Sequence, residues 1–276
     1  MIELYSNGKL LHYDSLIFNG GEPHIKLHET SYPDGCTIIA RIQSCNDLIE
    51  LVSVVDALHR LETRDIDLLI PYFPGARQDR VSNKGEALTV KIYADIINSL
   101  KVNTVGICDP HSDVTPALIN NCYLYPIEQI IDKTIKQCNP DIIISPDAGA
   151  SKRIYGYLST IKCDLPVVQC LKKRDTRTGK LSGFEIASDL DLKSKDVLII
   201  DDIIDGGGTF LGLGDVLDKE NVGFMYLYGT HGIFSQGYSN LLQTYDQIYT
   251  TNSFTPLIEL TENEEEKITV WNLYGV

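Results

Sequence analysis

The chain has 276 residues, enough for about two domains of ordinary size, and 43% of them are hydrophobic, as in a soluble globular protein. Its 38 acidic against 24 basic residues give a formal charge of −14, which argues against a nucleic-acid binder and demands local cations wherever an anionic ligand is held. With no run of roughly 18 apolar residues, and a start, Met1-Ile-Glu-Leu-Tyr-Ser, that lacks a basic segment and an apolar core, no membrane partner is expected and a cytoplasmic location is.

Seven cysteines show no Cys-x-x-Cys pair and no zinc-ligand spacing with a histidine. They predict free thiols, mostly buried, in a reducing compartment.

Strands are predicted at residues 37–42, 68–71, 104–108, 142–145, 167–171, 197–201, 224–228 and 248–250, with helical patterns between them. The clearest helix covers 46–61, where Leu48, Leu51, Val52, Val55 and Leu58 recur at helical spacing behind an Asn46 or Asp47 cap. Such alternation predicts an α/β protein with parallel sheets covered by helices. Asn139-Pro140 marks a break, giving two doubly wound domains, 1–139 and 140–276. Sheets of that kind hold ligands at the carboxyl ends of their strands, and each polar motif below follows a predicted strand.

After the strand at 68–71 comes Pro71-Tyr-Phe-Pro-Gly75-Ala-Arg77-Gln78-Asp79-Arg80. Two prolines fix an irregular loop that presents guanidiniums, suited to phosphate or to stacking on a base, and an amide able to read an adenine edge. In isolation such a segment is more often a surface ion-pair loop. Cys108-Asp109-Pro-His111-Ser-Asp113 follows the next strand and sets a histidine between two aspartates, a candidate magnesium-nucleotide contact. Histidine is an unusual ligand for Mg²⁺ and needs carboxylate support. Asp147 is the candidate for that support, in Ile144-Ser145-Pro146-Asp147-Ala-Gly-Ala-Ser151-Lys152-Arg153.

Lys172-Lys173-Arg174-Asp175-Thr-Arg177-Thr-Gly179-Lys180 places five cations in nine positions of an acidic chain. It reads equally as a solvated basic loop or as a mobile loop that closes cations over a phosphoryl group in transfer.

The most informative segment is Val197-Leu-Ile-Ile-Asp201-Asp202-Ile-Ile-Asp205-Gly206-Gly207-Gly208-Thr209. An apolar strand ends in two carboxylates that can accept hydrogen bonds from ribose hydroxyls. A glycine turn and a helix start then offer backbone N–H groups to a phosphate.

Taken in order, these segments resemble the ribose-phosphate pyrophosphokinase family. The likeness is carried by Asn46-Asp47-Leu-Ile-Glu-Leu, by Phe73-Pro-Gly-Ala-Arg-Gln-Asp-Arg80, and by Ser145-Pro-Asp-Ala-Gly149 with Lys152-Arg153. Asp201 to Thr209, Thr230-His231-Gly-Ile-Phe-Ser235 and Thr251-Asn252-Ser253 extend it. The resemblance implies two domains related to type I phosphoribosyltransferases and a Mg²⁺-dependent transfer of ATP's β,γ-diphosphate to the 1-hydroxyl of a phosphorylated ribose, with release of AMP. It also implies that Arg77, Gln78 and Asp79 hold ATP, that His111 and Asp147 hold the metal, and that Lys172 and Arg174 are the catalytic cations. Asp201 and Asp202 would take the ribose hydroxyls, and Asp205, Gly206, Gly207, Gly208 and Thr209 the 5-phosphate. Phe18 and Glu22 correspond to a segment contributed to the adenine pocket by a neighbouring subunit, which implies a homo-oligomer that is dimer-based, a hexamer being one such form, with the number of subunits left open.

Two departures concern the acceptor. Gly206 replaces a threonine common in the family, and Gly75 an aromatic residue. Both are expected to favour a phosphate that continues into something larger, hence ADP-ribose, giving ADP-ribose pyrophosphate for NAD salvage. Ribose 5-phosphate is the alternative acceptor, and a type I phosphoribosyltransferase or a non-catalytic regulatory relative are the rival classes.

Overall fold

A computed structural model describes residues 1–29, 31–32, 34–174, 181–255, 260 and 262–274. The chain divides into two compact units, Met1–Pro126 and Ile127–Val276. Relative to the expected break after residue 139, this moves one helix, Glu128–Cys138, into the second unit. The Trp271 indole N–H donates to Thr134 on that helix at 2.9 Å, tying it to the last strand.

In the first unit, strands β1 (Ile2–Ser6), β2 (Lys9–Leu11), β3 (Tyr13–Ile17), β4 (Pro23–Leu27) and β5 (Cys36–Ala40) precede helix α1 (Cys45–Arg60). Then come β6 (Ile66–Ile70), α2 (Thr89–Ser99), β7 (Thr104–Cys108), α3 (Val114–Leu118) and β8 (Cys122–Tyr125). The sheet runs β2-β1-β5-β6-β7-β8, parallel from β5 onward, with β1 and β2 added antiparallel at one edge. Helix α1 starts at a capping box in which Ser44 accepts from the Asp47 N–H and the Asp47 carboxylate accepts from the Ser44 N–H. Its cap is therefore Ser44, not Asn46 or Asp47. Leu48, Leu51, Val54, Val55 and Leu58 form its buried stripe against the Ile38, Leu68, Ile70 and Ile107 layer of the sheet.

The second unit holds α4 (Glu128–Cys138), β9 (Ile142–Ser145), α5 (Ala148–Ile161), β10 (Val167–Arg174), β11 (Leu181–Ala187), β12 (Val197–Ile204) and α6 (Gly208–Lys219). It ends with β13 (Met225–Gly232), α7 (Ser239–Thr244), β14 (Gln247–Thr251), α8 (Glu262–Glu265) and β15 (Ile268–Trp271). Its sheet order is β11-β10-β9-β12-β13-β14-β15, with β11 alone antiparallel. From β9 the chain steps one way to β10, and from β12 it steps the other way to β13. The strand order therefore reverses between β9 and β12, where an open α/β sheet leaves a crevice at its carboxyl end.

The antiparallel edge strands were not expected, because β1 to β4 are short and lack sustained alternation of apolar residues. All seven cysteines are free; Cys36, Cys108, Cys138 and Cys170 are buried. Burial pushes the Cys138 and Cys170 thiols up to about 12. No helix among the described residues is long and apolar enough to cross a membrane.

Strand β12 keeps its course past the end of β9 because Gly229 of β13, opposite Asp201, leaves room for Ile204 to pack over it. A methyl group on Gly229 would overlap the Ile204 side chain. Gly229→Ala is therefore expected to destabilise the second unit by about 1–3 kcal/mol. Trp271, the one tryptophan and a member of that unit, reports this through its fluorescence in a urea titration.

Candidate functional site

Two groups of polar side chains form, one at the carboxyl ends of each parallel sheet.

In the first unit the loop after β6 is held by its apolar residues. Phe73 and Ala76 are buried, which leaves Arg77 and Gln78 facing outward. The Ala76 N–H donates to the Phe73 carbonyl at 3.3 Å, closing a turn with Pro74 and Gly75 at its centre, where Gly75 has φ +74°. Tyr72, Gly75, Arg77, Gln78, Thr89 and Tyr93 line a pocket of about 470 Å³. A Cβ on Gly75 would lie 3.1–3.2 Å from Thr89 and Tyr93, so glycine here lets the start of α2 close on the loop. A side chain at position 75 would strain the positive φ and press on Thr89 and Tyr93, so Gly75 bears on the packing of this loop.

This loop is clamped to the loop after β7. The Cys108 N–H donates to the Pro71 carbonyl at 3.2 Å, and the side chains of Asp79 and Ser112 are hydrogen-bonded. Asp79 is only 7% exposed and also accepts from Arg80 Nε at 3.1 Å. Burial would raise its pKa, but the Ser112 and Arg80 bonds and the charges of Arg80 and His111 outweigh burial and hold it below the usual carboxylate range. Asp79 thereby anchors the loop of His111 to the loop of Arg77. Asp109, buried at the end of β7, adopts φ +35°, the strained backbone that functional turns often carry.

Phe18 and Glu22 close the β3–β4 hairpin, where the Phe18 N–H donates to the Glu22 carbonyl at 2.9 Å. Phe18 is 54% exposed, against the His24 ring at 5.7 Å.

In the second unit β12 runs on through Ile204, so Asp201 and Asp202 lie within the strand and not at its end. Pairing to β9 stops at Ile199 with Ile144, while pairing to β13 continues to Ile204 with Gly232. The two aspartates therefore stand beside the vacated end of β9, in the crevice of strand reversal.

Arg153, in the second turn of α5, fills that position. Its Nη2 donates to Asp201 Oδ1 at 2.9 Å and to Asp202 Oδ1 at 2.7 Å. The Asp202 N–H also donates to Asp201 Oδ1, at 2.9 Å. Asp202 is 4% exposed and Asp201 15%. Burial, followed by the charge of Asp202, raises the pKa of Asp201 well above 3.8, and Arg153 only partly opposes this. Lys152-Arg153 was visible in the sequence, but its assignment as counter-ion to the aspartates needed the fold.

Asp147 is the N-cap of α5, one carboxylate oxygen accepting from the Ala150 N–H at 3.0 Å. Ser151 braces the turn beneath it through Ser145 and Gln169. Helix α6 opens at Gly208 behind Gly207, whose φ of +79° demands glycine; the partly buried Asp205 and Thr209 flank this turn. Gly206 has no such constraint: an added Cβ would meet only Gln236 and Ser235 in ordinary contact, at 3.5 and 3.7 Å.

Lys172 and Arg174 belong to β10, paired with Phe184 and Leu181 of β11, so the basic segment begins as a hairpin strand and not as a loop. Its continuation, 175–180, lies outside the described residues.

Thr230 and His231 at the end of β13, and Thr251 and Ser253 at the end of β14, are packed inward. The His231 ring meets Ser253 Oγ at 2.8 Å, and Thr251 and Ser253 donate to the Thr230 carbonyl. Among the described residues no group of three or more His, Cys, Asp or Glu side chains could by itself hold a metal.

The N-terminal-domain model of ribose phosphate pyrophosphokinase matches residues 2–100, and the phosphoribosyl transferase domain model matches residues 125–226. A ribose-phosphate pyrophosphokinase of Haemophilus ducreyi is 30% identical over 237 residues, 82% of this chain and 72% of that one. One from Aquifex aeolicus is 29% identical over 235 residues, 80% and 72% of the two chains. The crystal structure of phosphoribosylpyrophosphate synthetase from Mycobacterium smegmatis has the same fold. Its TM-score is 0.81 at 20% identity, over 96% of this chain and 87% of that one.

The raised pKa of Asp201 has a measurable sign. Between 3.8 and its folded value the native state holds a proton that the unfolded chain has released, so this group's contribution to stability declines as pH rises through that window. Asp201→Asn removes the titration. Urea midpoints read from Trp271 should show wild type losing stability relative to this variant as pH increases above about 4; a constant difference would contradict the burial argument.

Proposed function

Because the chain belongs to the ribose-phosphate pyrophosphokinase family, we propose that it moves the β,γ-diphosphate of ATP onto the 1-hydroxyl of a phosphorylated ribose and releases AMP. The observation that carries this reading is the crevice of the second unit, where two buried aspartates, held by one arginine, stand beside a glycine turn at a helix start. Carboxylate oxygens accept from sugar hydroxyls, and backbone N–H groups of the turn meet a phosphate. Arg153 fixes the orientation of both carboxylates before a sugar arrives.

The pocket of the first unit suits a nucleotide. Arg77 and Gln78 present donors at its rim, and Tyr72 and Tyr93 supply aromatic walls for a base. Asp79 contributes by holding the loop of His111 in place. Phe18 and Glu22, at an exposed hairpin tip, are available to a neighbouring protomer's pocket in a homo-oligomer.

Magnesium fits this donor set. The ion takes one or two protein ligands and completes its shell with water and substrate phosphates, so a ready-made protein cage is not needed. His111 and Asp147 would hold it, and it would neutralise charge on the transferring phosphates. Transfer then needs alignment and positive charge at the β-phosphorus, the role given to Lys172 and Arg174.

Ribose 5-phosphate is the acceptor that the names of the relatives favour. ADP-ribose is a second reading, favoured by Gly206: the backbone does not require glycine there, so the missing side chain leaves space beside the phosphate turn. In that reading the product is ADP-ribose pyrophosphate, usable for NAD salvage.

AMP release from ATP and Mg²⁺ should depend on an added acceptor, and comparing kcat/KM for the two acceptors decides between them. Lys172→Ala and Arg174→Ala are expected to lower kcat at least ~100-fold while the KM for ATP changes little. Equal losses in both parameters would argue against a transition-state role.

A further inference from the structure

The loop after β13 stands over Gly206. Its path is fixed by the N–H groups of Ile233 and Phe234, both donating to the Ile204 carbonyl at 2.8 and 3.1 Å, two residues before Gly206. The Gly237 N–H closes the turn on the Phe234 carbonyl at 2.8 Å, and the Phe234 and Tyr238 rings pack edge to face at 5.9 Å. These contacts leave Ser235 and Gln236 exposed at the tip.

A Cβ on Gly206 would lie 3.5 Å from Gln236 Cγ and 3.7 Å from Ser235 Oγ. The side chains of Ser235 and Gln236 therefore border the volume that a larger residue 206 would take. Serine offers a hydroxyl donor, and glutamine offers two N–H donors and an acceptor. Phosphate oxygens are acceptors of that kind of bond.

We propose that Ser235 and Gln236 are specificity-determining residues that contact the phosphate on the acceptor's 5-carbon in place of a side chain at position 206. The inference rests on the reading that this phosphate sits on the turn from Asp205 to Thr209. The contact is shared chemistry: a terminal monophosphate in ribose 5-phosphate, or a diphosphate that continues outward in ADP-ribose.

The test is steady-state kinetics of Gln236→Ala, Gln236→Glu and Ser235→Ala with ribose 5-phosphate and with ADP-ribose, each at saturating ATP and Mg²⁺. Loss of one hydrogen bond should raise the KM of the accepted substrate about five-fold. A carboxylate at 236 should raise it more through like-charge repulsion, and the KM for ATP should not move. Gly206→Thr, which restores a hydroxyl beside Gln236, should make the Gln236→Ala effect smaller. Equal thermal melting curves would set folding aside, since both side chains are exposed.

An effect confined to ribose 5-phosphate identifies the terminal phosphate as the group contacted, and one confined to ADP-ribose identifies the diphosphate. An active wild type in which all three variants keep the acceptor KM within about two-fold overturns this inference and leaves the proposed activity standing. A wild type that transfers diphosphate to neither acceptor overturns the activity, and this inference with it.

Discussion

Two aspartates side by side in a buried strand repel each other and have lost most of their water, so such a pair persists only with a cation against it. Arg153 meets that requirement with one nitrogen shared between Asp201 and Asp202. Removing one partner from a buried ion pair typically costs about 3–5 kcal/mol, because the remaining charge has neither water nor a counter-ion. The contact ties α5 to β12, alongside the burial of Ala150, Ile154 and Leu158 on the same helix.

On the proposed reading of the pair as acceptors of ribose hydroxyls, the contact sets the state in which they meet a sugar. Carboxylates free in water would have to be ordered by the ligand, whereas here their geometry is set in advance and part of their hydrogen-bonding capacity is already used. Burial and mutual repulsion nevertheless keep Asp201 prone to protonation. A ribose hydroxyl or a nearby metal ion would therefore shift the balance of charge in this crevice when it binds. Asp79 serves the first unit similarly, since one nearly buried carboxylate ties two loops together.

Glycines divide by what the fold asks of them. Gly75 and Gly207 have positive φ and close neighbours, and Gly229 leaves room for Ile204, so their identity follows from the backbone and packing. Gly206 answers to neither. From the sequence alone Gly75 and Gly206 looked equivalent, because a departure from a family pattern carries no φ angle.

Much was already determined by the sequence. The alternation of apolar strands with helical spacing gave the α/β class and the core strands β5, β6, β7, β9, β12 and β14 to within a few residues, since buried parallel strands must be apolar throughout. It also gave the polar motifs that follow those strands. The tertiary structure decided the rest: the antiparallel edges, the transfer of α4 to the second unit, the run of β12 past its aspartates, and the pairing of Arg153 with Asp201 and Asp202. The Arg153 pairing and the tie of α4 to the last strand join residues far apart in the chain, and no local pattern of residue types encodes which distant carboxylate an arginine will meet.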